Sequence, residues 1–298
     1  MATASRGQDL LSSEFLTQLE RLTLISRRAF RGRTHGERKS PRKGMSVEFS
    51  DYRQYGVGDD LRYVDWNIYG RLDRLYLKLF VDEEDLCLHL LLDGSGSMSF
   101  GEPSKLHYAA RLAAAIGFVG LVNLERVGVA VVRDRMAEGW NPTRGRGQLL
   151  SLLDFAARLR AGGPTGLSEG LATYALRSRE AGVAVLISDL LDPAGYEPGL
   201  SALVGRGFQV DAVQVFAPDE LNPATYGDLR LVDAETGAVQ EVTFGRYRLK
   251  AYQQTVRNYC QRLREFCTGR GINFFTASSD TPLEQLLLKQ LREAEVWG

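Results

Sequence analysis

Leu86-Cys87-Leu88-His89-Leu90-Leu91-Leu92-Asp93-Gly94-Ser95-Gly96-Ser97-Met98 decides the fold of this chain. An almost continuous apolar run of strand length, with no polar alternation, reads as a strand buried on both faces of a parallel sheet. It ends on a carboxylate followed by two glycines and two serines. In open α/β sheets, ligands bind beyond the carboxyl ends of the strands. Asp93, Ser95 and Ser97 alternate, so an extended loop can point all three oxygens the same way. Hard oxygen donors of this kind suit Mg²⁺ or Mn²⁺.

The pattern continues as strand, helix, strand, helix. The spacing predicts a helix over 105–124 and a β-branched strand over 127–132, with a short partner strand near 136–140. Helices follow over 147–160 and 167–180, then a strand over 183–188, a helix over 196–206 and a strand over 208–215. A polar hairpin is expected over 228–244 with its turn at Glu235-Thr236-Gly237. A long helix over 246–268, a strand over 272–276 and a helix over 283–293 complete the pattern. Alternating strands and helices imply a doubly wound, mostly parallel α/β sheet with helices on both faces.

Upstream, Leu10, Leu11, Phe15, Leu19, Leu22 and Ile25 recur at helical spacing over 9–30. A basic loop at 27–43 follows, broken by Gly32, Gly36 and Pro41. From 45 to 80, aromatics interleave with charges of both signs, around a turn at Gly56-Val57-Gly58-Asp59-Asp60 and a strand over 75–81. The expected division is a first region at 1–82 and an α/β domain at 83–298 carrying the polar hairpin as an insertion.

The 298 residues carry zero formal net charge, so no global field favours nucleic acid or an anionic membrane. Cys87, Cys260 and Cys267 are odd in number and lack C-x-x-C spacing, which reads as reduced thiols. The longest apolar run, Leu112 to Leu124, contains Gly117, Gly120 and Asn123 and reads as a buried helix. A cytoplasmic protein is the expectation.

Two later loops complete an oxygen set with the Asp93 loop. Thr165 lies in Gly162-Gly163-Pro164-Thr165-Gly166, and Asp189 ends the strand at 183–188. Asp93, Ser95, Ser97, Thr165 and Asp189 would meet at one sheet edge if the two strands are neighbours. Three neutral hydroxyls in the set would leave the cation Lewis-acidic, with an open position for an incoming oxygen. Read singly, each residue has a plainer role: a turn at Asp93, a helix cap at Thr165 and a turn at Asp189.

This constellation resembles the metal-ion-dependent adhesion site of von Willebrand factor type A domains. Further residues narrow the resemblance. Glu48-Phe49-Ser50-Asp51-Tyr52-Arg53-Gln54-Tyr55, Gly58-Asp59-Asp60-Leu61-Arg62, Val64-Asp65-Trp66-Asn67 and Arg71 are similar to the signature of the bacterial domain-of-unknown-function family 58. His35, Ser40 and Gly44 also fit. The resemblance implies a von Willebrand A-like fold and a partner of the MoxR-type AAA+ ATPase class. Many members carry N-terminal membrane helices, which this sequence lacks.

Three functions compete. The first is a non-catalytic, metal-dependent interaction module that binds an acidic partner residue through Mg²⁺ and serves such an ATPase in chaperone-like maturation. The second is a Mg²⁺-dependent hydrolase built on the same loop. It lacks G-x-S-x-G, a histidine after His107, and a second aspartate at Ser95. The third is nucleic-acid binding through the basic loop 27–43. The charged signature at Arg53, Asp59, Asp60, Arg62, Asp65 and Arg71 reads as mutual pairing more readily than as a binding surface.

Overall fold

A computed structural model describes residues 10–12, 14–19, 49–80, 86–134, 136–223 and 227–287. The expected basic loop at 27–43, with His35, Ser40, Gly44 and Glu48 of the signature, lies outside the described residues.

Chain contacts separate two compact units, one bounded by Thr34 and Asp85 and the other formed by the rest. Leu10, Leu11, Phe15 and Leu19 are buried in the same apolar cluster as Leu88, Leu90 and Leu92, so this N-terminal stretch belongs with the α/β domain.

In the smaller unit, β1 (Phe49–Gln54) pairs antiparallel with β2 (Tyr76–Phe80), and α1 (Trp66–Leu72) lies between them in sequence. Its charges pair with one another. Arg53 binds Asp59 at 2.8 Å, Arg62 binds Asp60 at 2.7 Å and Lys78 reaches Asp65 at 3.1 Å. Asp65 also caps α1, accepting from the amides of Asn67 and Ile68, and takes the Tyr52 hydroxyl at 3.0 Å. Trp66 stays 60% exposed and meets Tyr69 edge-on. Two of these pairs join charges of the signature, Asp65 takes Lys78 from outside it, and Tyr52, Tyr63, Trp66 and Tyr69 remain at the surface.

The larger unit is built on a six-stranded sheet of order β10-β7-β6-β3-β4-β5. Its strands are β3 (Cys87–Asp93), β4 (Arg126–Val132), β5 (Met136–Arg144), β6 (Val183–Ser188), β7 (Gln209–Phe216) and β10 (Asn273–Ser278). All neighbours run parallel except β5, which closes one edge antiparallel to β4. That edge tolerates Pro142, which cannot donate to a ladder.

Every residue of β3 is buried, because helices cover both faces. The twofold side-chain alternation sorts the apolar residues into two layers. Leu88, Leu90 and Leu92 join Val127, Val129, Val131, Val183, Val185 and Ile187 on one face. Leu91 joins Ala130, Val132, Ala184 and Leu186 on the other. The first face is covered by α2 (Lys105–Val122) and α3 (Leu149–Arg158). The second is covered by α4 (Leu167–Arg177), α5 (Glu197–Gly205) and α6 (Arg246–Thr268).

Among the described residues, α2 alone is long and apolar enough to cross a membrane by length and composition, and 89% of it is buried inside the fold. It packs closely on α3 and the sheet at Gly117, where an added Cβ would lie 2.6 Å from Leu152 Cδ2 and 3.2 Å from Leu90 Cδ1. The polar hairpin forms as expected from β8 (Gly227–Val232) and β9 (Val239–Phe244).

Candidate functional site: the loop after β3

Chain order reverses at β3. One connection runs through α2 to β4, while β6 takes the other side of β3. The crevice at such a switch point, outside the carboxyl ends of the strands, is where doubly wound sheets bind ligands. Parallel register sets Leu92 beside Ile187, which brings Asp93, Ser188 and Asp189 to the same edge.

Asp93 is 2% exposed and fully engaged. Its Oδ1 accepts from the Ser95 amide at 2.9 Å, and its Oδ2 accepts from the Ser188 hydroxyl at 2.5 Å. Burial pushes its pKa up, the nearby charge of Asp189 adds to this, and the hydrogen bonds from Ser188 and Ser95 oppose it. Two buried carboxylates at one edge create a demand for positive charge.

Ser95 Oγ lies 3.1 Å from Ser97 Oγ, and the Ser97 hydroxyl donates to Asp189 Oδ2 at 2.8 Å. Octahedral Mg²⁺ with bonds of about 2.1 Å sets adjacent ligand oxygens about 3 Å apart. Ser97 therefore stands at the spacing of a neighbouring octahedral ligand from both Ser95 and Asp189, and hydroxyl and carboxylate oxygens are donors that fit the ion. Ser95, Ser97 and Asp189 would hold it. Asp93, bonded to the Ser95 amide and to Ser188, shapes the loop. The bound ion would supply an open position for a further oxygen.

Thr165 comes close through its loop. The Gly162 amide donates to Gly94 O at 3.0 Å, and the Gly96 amide donates to Gly163 O at 2.9 Å. Gly166 is the N-cap of α4 and no side chain caps the helix, so Thr165 is not the helix cap its sequence position allowed. Its amide instead donates to Glu235 Oε2 at 2.8 Å, a contact from the tip of the hairpin.

The structure adds residues that the sequence did not single out. Lys105, the first residue of α2, is completely buried. Its ammonium donates to Asp189 Oδ2 at 2.8 Å and to Glu220 Oε1 at 2.6 Å. Burial alone would lower its pKa, but the two carboxylates more than offset this and raise it, so it carries its charge. Ser188 Oγ also accepts from the Leu190 amide at 2.8 Å, fixing the turn after β6. Leu190 has φ +58° there, its carbonyl accepts from Tyr259, and Gln214 Nε2 donates to Asp189 O at 3.0 Å. Only Ser188 carried a sequence signal, as a hydroxyl next to the strand-end aspartate.

Among the described residues, no group of three or more His, Cys, Asp or Glu side chains converges as a metal cluster. The oxygen set described here instead combines carboxylates with hydroxyls. His89 points into the core, its Nδ1 within 2.6 Å of the Tyr174 hydroxyl. Burial pulls its pKa down to about 4.

Residues 51–261 match the family model described as "Protein of unknown function DUF58". This chain belongs to that family. Its relatives include an uncharacterized protein of Mycobacterium tuberculosis that is 31% identical over 240 residues, spanning 78% of this chain and 75% of the relative. A second uncharacterized protein, from Mycobacterium avium, is 40% identical over 84 residues, 27% of this chain and 49% of its own length.

Among solved structures, a conserved hypothetical protein BatB from Bacteroides thetaiotaomicron aligns over 72% of this chain and 100% of its own, at 16% identity and TM-score 0.43. An aerotolerance-related membrane protein from Bacteroides fragilis aligns over 70% of this chain and 99% of its own, at 17% identity and TM-score 0.41. The DUF58 membership agrees with the family resemblance drawn from the signature residues. The mixed, mostly parallel sheet agrees with the expected fold class.

Proposed function

We propose that this DUF58 protein is a non-catalytic interaction module whose loop after β3 holds Mg²⁺ and receives a carboxylate from a protein partner. The observation that carries this reading is the oxygen spacing, 3.1 Å from Ser95 to Ser97 and 2.8 Å from Ser97 to Asp189, at the switch point of the sheet. The buried charge supports it. Asp93 and Asp189 share an edge where a divalent cation relieves their repulsion. An acidic partner residue would then meet the cation's open position.

Hydrolysis is disfavoured by the available bases. A serine nucleophile needs a neighbouring base; His89 is committed to the core beside Tyr174, and Asp189, which accepts from Ser97, is already paired with the Lys105 ammonium. The family resemblance supplies the partner class, a MoxR-type AAA+ ATPase, with a client matured in a chaperone-like way in the cytoplasm.

The test is affinity purification from the native host with Mg²⁺ or with chelator, comparing wild type with Asp93→Ala. The proposal expects an ATPase and a client recovered by wild type in Mg²⁺ and lost from both controls. Equal recovery in all samples would overturn it.

A specific observation favours a second reading. The Lys105 ammonium already bonds Asp189 and Glu220, so the site contains a resident cation of its own. On this reading the loop receives a carboxylate without a metal, and Mg²⁺ has no effect on partner recovery.

A further inference from the structure

The hairpin formed by β8 and β9 touches the adhesion loop through its tip. Its strands are mostly exposed, with Leu231, Val232 and Val239 all at the surface. The tip is different. A Cβ added to Gly96 would lie 2.8 Å from Ala234 O and 3.2 Å from Glu235 Cγ. Gly96 stands between Ser95 and Ser97, so the hairpin rests on the centre of the oxygen loop. Only glycine leaves room for that approach.

Glu235 makes the tip chemically specific. Its Oε2 accepts from the Thr165 amide at 2.8 Å, in the third loop of the oxygen set. Among the described residues its Oε1 accepts no hydrogen bond. The turn that presents it is internally braced. Asp233 Oδ1 accepts from the amides of Glu235 at 3.0 Å and Thr236 at 2.7 Å, and from the Thr236 hydroxyl at 2.8 Å. Gly237, at φ +71°, closes the turn, its amide donating to Asp233 O at 2.9 Å. A rigid turn thus carries a carboxylate to the loop where a partner's carboxylate is expected.

We infer that Glu235 is a built-in ligand: the hairpin tip holds the partner's place at the adhesion loop, and a partner enters by displacing it. The inference rests on the proposed reading of the loop as a carboxylate-receiving site. It adds the regulation of that site and a description of its partner, an acidic residue at the apex of a tight turn. A tethered carboxylate competes at high effective concentration, so an external one succeeds only with additional contacts. The hairpin would therefore set the threshold for partner entry.

The full chain tests this through amide hydrogen exchange at Thr165, followed by NMR for wild type, Glu235→Ala and Glu235→Gln, with excess acetate as the external carboxylate. A hydrogen bond to a charged acceptor is worth roughly ten- to a hundred-fold in protection. The expected result is a rise of that size in Thr165 exchange for Glu235→Ala and a smaller rise for Glu235→Gln, whose amide oxygen can still accept. Acetate should restore protection in Glu235→Ala and leave wild type unchanged. Unchanged Thr165 exchange in Glu235→Ala would overturn the inference, as would acetate failing to restore protection.

Repeating the acetate arm with Mg²⁺ and with chelator separates the two claims. Restoration that needs Mg²⁺ supports both. Restoration that is equal in chelator keeps the built-in ligand and removes the metal from the proposed function.

Discussion

Replacing Lys105 with methionine removes one charge from the centre of the site with little change in volume. The Lys105 side chain is 1% exposed and Asp189 3%, and their ion pair spans 2.8 Å. Glu220, 18% exposed, forms the other arm at 2.6 Å. Removing one partner of such a buried pair costs ~3–5 kcal/mol, because the remaining charges lose their compensation. Among the described residues, Asp189 would keep the Ser97 hydroxyl and the Leu191 amide, the latter at 3.1 Å, on its side-chain oxygens.

The same change removes a cation that competes with Mg²⁺ for Asp189. Lys105→Met should therefore be strongly destabilised in chelator and bind Mg²⁺ more tightly than wild type does. Urea unfolding of both proteins, with and without Mg²⁺, measures each effect. A ligand at about a hundred times its dissociation constant adds ~2.7 kcal/mol, so saturating Mg²⁺ should recover a large share of the loss. A loss below about 1 kcal/mol would refute the buried ion-pair argument. An equal loss in Mg²⁺ and in chelator would refute the competition between ammonium and metal.

Other outcomes follow from the same contacts. Ser188→Ala leaves the buried Leu190 amide and Asp93 Oδ2 without their shared hydroxyl, so unfolding should show a loss of about 1–3 kcal/mol. Ser97→Ala takes a hydroxyl donor from buried Asp189, so it should cost about 1–3 kcal/mol in chelator and also remove most of the Mg²⁺-dependent increment in the same urea titration. His89 sets a pH dependence. Its pKa is lowered to about 4 in the fold against an ordinary value of 6.5, so the unfolded chain takes up the proton first. The His89 contribution to stability should fall as pH drops from about 6.5 to about 4, by up to ~3 kcal/mol, while Asp93, whose raised pKa makes the fold take up a proton first, opposes it in the same window. His89→Phe should flatten that slope.

The central strands were legible because each is an apolar or β-branched run buried on both faces, and β6 has the bounds read from the sequence. Strand β1 was not legible. Tyr52, Arg53 and Gln54 are all exposed, so no apolar alternation marks it. Strand β5 runs on to Arg144, past the expected end near residue 140, because an edge position accommodates Asn141-Pro142-Thr143.

At the site, Asp93, Ser95, Ser97 and Asp189 were readable from their positions after strands. Lys105 was not, since a lysine opening an apolar helix normally reaches solvent. Its partners lie 84 and 115 residues away in the chain. Glu235 was visible only as part of a hairpin turn. Its contact with Thr165, 70 residues away, depends on how the hairpin folds back.

The central claim is tested most directly by diffraction from crystals grown with Mn²⁺, using anomalous scattering to locate the ion. The account predicts one peak beside Ser95 Oγ, Ser97 Oγ and Asp189, at bond lengths of about 2.1 Å. It would be contradicted by an empty map in which Ser95, Ser97, Asp189 and Lys105 keep their bonds to one another.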